Sequence, residues 1–309
     1  TLRAADVTNS DTLVVDNTIP TVTFSYANLT QTNLTNEGKY LDIVEITAQF
    51  SEKANTTIPP VLNVEYSDST NDSFLDMSAF NSDNNDSTWI YQITLPDSAK
   101  NDGFFTASLT AKDLAGNFVT TFTNNQLFTV DNTPPADFVT GTVTPQGLNQ
   151  VTGWYNSTMD SVEILVPVPT PVSDPSIQGG GKIDIQMFNI VRGSDWVTIP
   201  SQDSIAGSGT SVSFFRSTPE IESIIPPDTE LIQGDTLLIR AAITDRIGNI
   251  TYGDSSLSRL VYDPFAPILG SITSGVFFSQ DTIVSSDSIS ATWSEFTDSV
   301  FQTIEGSGL

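Results

Sequence analysis

Along most of this chain apolar and polar residues alternate with a period of two. Residues 43–50 read IVEITAQF, which puts Val44, Ile46, Ala48 and Phe50 on one side and Glu45, Thr47 and Gln49 on the other. FFTASLTA at 104–111 groups Phe105, Ala107, Leu109 and Ala111, and SVEILV at 161–166 groups Val162, Ile164 and Val166. Leu237, Ile239, Ala241 and Ile243 repeat the arrangement further on. Successive side chains of a strand face opposite ways, so this is the signature of antiparallel sheet with one face buried. No apolar pattern of the helical 3.6-residue period is sustained. The pattern predicts strands over 20–27, 41–50, 61–66, 73–80, 88–95, 103–112 and 118–130, then over 138–144, 160–167, 182–191, 195–199, 211–216, 235–244 and 250–262. The expected class is all-β.

The two sets of strands share landmarks. TAKDLAGNFV at 110–119 has a partner in AAITDRIGNI at 241–250, and both contain Asp-x-x-Gly-Asn. Eighteen residues after Asp113 comes Asp131 of DNTPPA, and eighteen after Asp245 comes Asp263 of DPFAPI. A third elbow, DNTIPT, begins at Asp16. Elbows at 16, 131 and 263 define units of 115 and 132 residues. Seven strands in about 100 residues suit an immunoglobulin-like Greek-key sandwich. The expected organisation is 1–16 as the last strand of a preceding unit, 17–131 as one sandwich, 132–264 as a second with enlarged loops, and 265–309 as the incomplete start of another. The chain reads as a piece of a longer array. An alternative is that the strand at 12–15 completes a sandwich in a neighbouring molecule by strand addition.

Each landmark has a mechanical reading. Gly takes positive φ and Asn tolerates it, so Asp-x-x-Gly-Asn is a tight turn whose Asp can accept backbone N–H groups. Pro134 and Pro135 fix φ, withhold two donors and end the sheet ladder, which closes one unit and hands the chain to the next.

Composition narrows the chemistry. The chain has 11 Lys+Arg against 37 Asp+Glu, a net charge of −26, and contains no Cys and no His. Nucleic acid and anionic membranes are disfavoured as partners, since binding phosphate needs clustered cations. Cysteine nucleophiles, Ser-His-Asp triads and the usual zinc ligands are excluded. No apolar run is long enough to span a membrane as a helix. With 37 carboxylates, some pair falls at glycosidase spacing in any fold, so a two-carboxylate mechanism has no support of its own. No catalytic residues and no organic cofactor are expected.

What remains is oxygen-rich loops. Calcium takes six to eight oxygen ligands, and the candidates are Asp83, Asn85 and Asp86 in FNSDNNDSTW, Asp113 and Asn117 of the first turn, and Asp131 of the elbow. Each also has a purely structural reading as a solvated loop or turn residue. Asp68, Asp72 and Asp263 form a weaker set. Trp89, Tyr91, Trp154, Tyr155, Trp196 and Trp293 are candidates for stacking on sugars or for ordinary packing. Asn-x-Ser/Thr sequons occur at Asn28, Asn33, Asn55, Asn71, Asn85, Asn156 and Asn249.

On DLAGN at 113–117 with VDNTPP at 130–135, and more loosely DRIGN at 245–249 with YDPFAP at 262–267, the chain resembles bacterial Ig-like repeat proteins of the cell surface. GWYN at 153–156 and ATWSEFTDS at 291–299 are similar to segments of such proteins. The second unit departs from the pattern: it lacks the turn Ala and carries the Pro-rich VPVPTPVSDP at 166–175. The resemblance implies an extracellular, non-catalytic stalk, adhesin, filament or sheath. Its partners would be neighbouring Ig-like units, identical chains, or a cell-surface or glycan ligand. The alternative it leaves open is an accessory or carbohydrate-binding region of a large secreted polysaccharide-degrading enzyme.

Overall fold

A computed structural model describes residues 15–80, 86–148, 150–156, 158–168, 177, 180–193, 195–199, 203–205, 211–222, 231–256, 259–266, 269, 271–274 and 291–294. The chain divides into two units, Thr1–Thr133 and Pro134–Leu309. The structure is predominantly β-strand, arranged in several sheets.

In the first unit the strands are β1 (Thr21–Asn28), β2 (Glu37–Gly38), β3 (Ile43–Phe50), β4 (Val61–Glu65), β5 (Asn71–Asp76), β6 (Ser78–Ala79), β7 (Thr88–Thr94), β8 (Gly103–Phe104), β9 (Thr106–Thr110), β10 (Thr121–Thr123) and β11 (Thr129–Val130). They form a sheet ordered β10-β1-β3-β7-β6, a second ordered β5-β4-β9, and a short one ordered β2-β11-β8. Antiparallel register sets Phe24 opposite Ala48 and Ala48 opposite Trp89 in the first sheet, and Leu62 opposite Leu109 in the second. The inward residues of both sheets join one apolar cluster, which includes Val22, Phe24, Val44, Ile46, Leu62, Val64, Phe105, Ala107 and Phe128. Full burial of each large side chain contributes roughly 1.5–3 kcal/mol, so the alternation in β3 alone is worth several kcal/mol.

The second unit holds β12 (Val143–Gly147), β13 (Trp154–Tyr155), β14 (Met159–Pro167), β15 (Lys182–Asn189), β16 (Val197–Thr198), β17 (Asp203–Ser204), β18 (Ser211–Ser217), α1 (Thr218–Glu222), β19 (Thr236–Thr244), β20 (Ile250–Tyr252) and β21 (Leu260–Tyr262). One sheet is ordered β12-β14-β18 and the other β13-β21-β19-β15-β16, with β17 on β15 and β20 on β19. A second cluster forms from their inward faces, including Val162, Ile164, Ile185, Ile239 and Leu260. Beyond these, β22 (Ser271–Ser274) pairs antiparallel with β23 (Ala291–Ser294).

Several features differ from the sequence pattern. The run 73–80 divides into β5 and β6 and the run 103–112 into β8 and β9, each pair split between two sheets. The strand expected over 138–144 is β12 at Val143–Gly147, and β17 is not among the expected strands. The run 118–130 is two strands: β10 lies parallel to β1 in one sheet, while β11 pairs with β2 and β8 in another. The chain changes sheet between them through Asn124 at φ 57°, a conformation Asn adopts at low cost. The run 250–262 likewise splits into β20 and β21. The two-residue strands β2 and β13 run parallel to β11 and β21 and are too short to leave a periodic trace. The helix α1 is also new, and its start is held by Glu220, which accepts from both the N–H and the hydroxyl of Ser217 at 2.7 Å and so supplies the carboxylate half of a capping box.

Candidate metal centre

The first Asp-x-x-Gly-Asn turn follows β9. Asp113, 1% exposed, accepts the N–H of Gly116 at 2.6 Å and of Asn117 at 2.8 Å on Oδ1, and the Asn117 amide at 2.7 Å on Oδ2. Gly116 supplies the positive φ of 99° that turns the chain. The second turn, after β19, repeats the construction. Asp245 accepts from Gly248 at 2.6 Å, from the Asn249 N–H at 2.8 Å and from the Asn249 amide at 2.9 Å, with Gly248 at φ 95°. Burial works against the charge on Asp113, but the Asn117 side chain and the N–H groups of Asn117, Gly116 and Ala115 outweigh it and hold the carboxyl below its usual range.

What surrounds the first corner sets it apart. The Asn117 amide also donates to the Asp16 carbonyl at 3.1 Å, which ties the leading elbow to the turn. Asp16 Oδ1 accepts the N–H of Thr18 at 2.9 Å. Glu52 stands two residues beyond β3, where Ser51 still donates to the carbonyl of Thr21 at 2.9 Å, and Ala54 bridges to Asp113. These constraints bring carboxylate oxygens of Asp16, Glu52 and Asp113 within 4.8 Å of one another. Glu52 Oε1 is enclosed and has no hydrogen-bond partner. Among the described residues, none of the three carboxylates is paired with a Lys or Arg. Burial, and then the charges of Asp16 and Asp113, push the Glu52 carboxyl above its usual value. Three carboxylates this close are relieved by a proton on one of them or by a cation among them. Their all-oxygen donor set fits a hard cation of the calcium type, with Asp16, Glu52 and Asp113 each able to give one oxygen.

The other residues marked by the sequence lie elsewhere or act otherwise. Asn117 enters the cluster through its amide nitrogen, a donor already engaged with Asp113 and Asp16. Asp131 is outside it: its N–H donates to the Gly38 carbonyl at 3.0 Å and its carboxylate accepts from Thr133 at 3.2 Å. Asp263 does the same in the second unit, donating its N–H to the Tyr155 carbonyl at 2.8 Å and accepting from Phe265. The backbone carbonyl of Asp86 accepts from Ala54 at 3.0 Å and from the Trp89 indole at 2.9 Å, which places this loop near Glu52 without adding its carboxylate to the group. Asp83 and Asn85 lie outside the described residues. Asp68 accepts from the Thr70 hydroxyl at 2.6 Å and from Asn101 at 2.8 Å, which lowers its pKa, chiefly through Thr70. Asp72 accepts the Tyr66 hydroxyl at 2.8 Å.

The elbow itself is fastened by its Asn. Asn132 donates its N–H to Asp102 at 2.7 Å and its amide to the carbonyls of Pro96 and Ser98, while its oxygen accepts from Tyr40 at 2.7 Å. Thr133 adds a hydroxyl bond to Asp102. Of the aromatic candidates, Trp89 and Tyr155 are core residues, Tyr91 packs against the core, Trp154 is half-buried, and Trp196 lies against Arg240. The Trp293 side chain is outside the described residues. Sequons Asn28 and Asn249 are buried, and both make internal hydrogen bonds.

Two of the three members, Asp16 and Glu52, are not among the sequence's calcium candidates; Asp16 is legible only as the start of an elbow, and Glu52 is not legible at all. Glu52 belongs to no motif, and the pairing of β3 with β1 together with the Ala54–Asp113 bridge carries it to the corner. No protein-family model matches the chain, and no curated protein is significantly similar to it. Among the described residues no helix is long and apolar enough to cross a membrane.

Proposed function

We propose that this chain is a segment of a non-catalytic extracellular array of tandem immunoglobulin-like sandwiches, akin to bacterial Ig-like repeat proteins of the cell surface. It acts as a spacer and presentation scaffold. The observation that carries this reading is the duplicated corner. In both units a buried Asp closes the same Gly-Asn turn with the same three donors, and eighteen residues later an elbow Asp donates its N–H to the two-residue strand, β2 or β13, that runs parallel to β11 or β21. Two units sharing the β1-β3-β7 and β12-β14-β18 order on one side, and the β4-β9 and β15-β19 pairing on the other, fit one repeated Greek key.

In this reading the prolines stop each ladder and Asn132 fastens the exit of the first unit. The Asp16, Glu52 and Asp113 group takes calcium from the surrounding medium, which neutralises the carboxylates and stiffens the entry of that unit. The partners are adjoining units, identical chains and surface ligands reached through the array. Small-angle scattering of the purified chain in calcium tests the reading. The expected particle is elongated, longer than about 60 Å for two strand lengths in series. Chelation should lower the melting temperature by several degrees, because a ligand bound only by the native state stabilises it. A compact particle overturns the serial arrangement, and an unchanged melt removes calcium from it.

A further inference from the structure

On the outer face of the second unit's larger sheet, one cation is held with unusual care. Gln186 of β15 stands opposite Thr198 of β16 on one side and Arg240 of β19 on the other. The Gln186 amide donates to the Thr198 hydroxyl at 3.1 Å, and its oxygen accepts from Arg240 Nε at 2.8 Å. The guanidinium carbon lies 4.2 Å from the centroid of the Trp196 ring and 4.7 Å from that of Tyr252. Phe188 backs Trp196, with ring centroids 5.6 Å apart. Arg240 is thus held against two rings, with a hydrogen bond along one edge. Its two terminal amino groups donate to none of the described residues, and no described carboxylate pairs with it.

We propose that this face binds a saccharide bearing a carboxylate, with Arg240 as the carboxylate-binding residue. The open edge of a guanidinium presents two N–H donors in the spacing of the two carboxylate oxygens, and the bidentate pair is stronger and more directional than one made by Lys. The rotamer entropy that such a contact normally costs is already lost to Gln186, Trp196 and Tyr252. Tyr252 is 50% exposed and Trp196 half-buried, so apolar ring surface adjoins the cation and suits the C–H face of a pyranose. Partial burial against the rings also lowers the Arg240 pKa, a sign that its charge is incompletely hydrated. The net charge of −26 repels densely charged polymers at long range, which favours a saccharide with single, spaced acidic sugars. The site lies wholly within the second unit and stands independently of the array reading.

Titration of the full chain with a tetrasaccharide carrying one glucuronate, followed by calorimetry and by NMR shifts of the indole signals, tests the site. Saturable binding is expected, weakened at least tenfold by Arg240→Gln and nearly as much by Arg240→Lys, with the melt retained. Tyr252→Ala, which removes one wall and leaves β19 in place, should weaken it severalfold and gives a second reading if Arg240→Gln perturbs folding. The proposal is overturned by absence of binding at millimolar saccharide, or by Arg240→Gln binding as well as the native chain. Equal affinity for the carboxyl-reduced saccharide overturns the carboxylate contact. Preference for an acidic peptide of the same charge overturns the saccharide.

Discussion

The corners at Asp113 and Asp245 are the same turn in two electrostatic settings. Their internal hydrogen bonds agree within 0.2 Å, donor by donor. Around Asp113 stand two further carboxylates, and among the described residues no such group surrounds Asp245. The sequence accounts for part of the difference. Aligning Val44-Glu45-Ile46 with Val162-Glu163-Ile164 places Thr170 where the first unit has Glu52. The comparison separates two roles that one motif could be thought to combine. Closing the corner needs only Asp, Gly and Asn. Gathering negative charge needs Asp16 and Glu52, which the motif does not contain.

The largest expected effect is loss of the corner carboxylate. Asp245→Ala leaves two backbone N–H groups and an Asn amide without their acceptor, which should destabilise the second unit by about 2–3 kcal/mol. Asp113→Ala removes the same bonds but also relieves Glu52 and Asp16, so without divalent cations its cost should be smaller by up to about 1 kcal/mol. Saturating calcium should reverse the order. Denaturant unfolding measures this, with Trp89 reporting on the first unit and Trp154 and Trp196 on the second. Equal losses in calcium and in chelator would mean that the two corners do not differ electrostatically.

Substitution of either corner glycine should cost at least the strain of a positive φ. A Cβ at Gly116 meets no atom within 4 Å, so Gly116→Ala carries only the cost of a positive φ, about 1 kcal/mol. Gly248→Ala, at φ 95°, carries at least the same conformational cost in the same denaturant measurement. A large difference between them would show that the turns are less alike than their hydrogen bonds.

Much of this is legible in the sequence because it rests on local rules. Alternation in IVEITAQF and TLLIRAAIT marks β3 and β19, since burial on one face leaves a period of two. The corners are legible because positive φ selects Gly, and the elbows because Pro ends a ladder. Short and non-local features are not. The change of sheet at Asn124 and the parallel pairs β2-β11 and β13-β21 depend on tertiary placement, not on period. Glu52 is an ordinary polar residue after a strand, and its approach to Asp113 depends on the Ala54–Asp113 bridge, a pairing distant in sequence. Arg240 is hidden similarly, because Trp196, Gln186 and Tyr252 come from three other strands or strand ends that meet only in the folded sheet.

The smallest effect is also the one that discriminates best between the corners. At the first corner two carboxyls are shifted in opposite directions. Asp113, with its pKa lowered in the folded chain, stabilises the unit above the unfolded pKa of Asp, and that stability is lost as pH falls through the folded value. Glu52 is raised, so between its unfolded and folded values the native state holds more protons than the unfolded state, and stability falls as pH rises through that window. Glu52→Gln removes the second dependence and keeps the first. Without divalent cations the variant should be more stable than the native chain by up to about 1 kcal/mol at neutral pH, the scale of repulsion at a partly solvated site. Its advantage should vanish as the pH is lowered past the ordinary Glu range, and calcium should stabilise it less than the native chain. Melts of both proteins between pH 4 and 7, in chelator and in calcium, read out the difference. A constant gap across that range would show that folding does not shift the Glu52 carboxyl, and the two corners would then differ in composition but not in electrostatic energy.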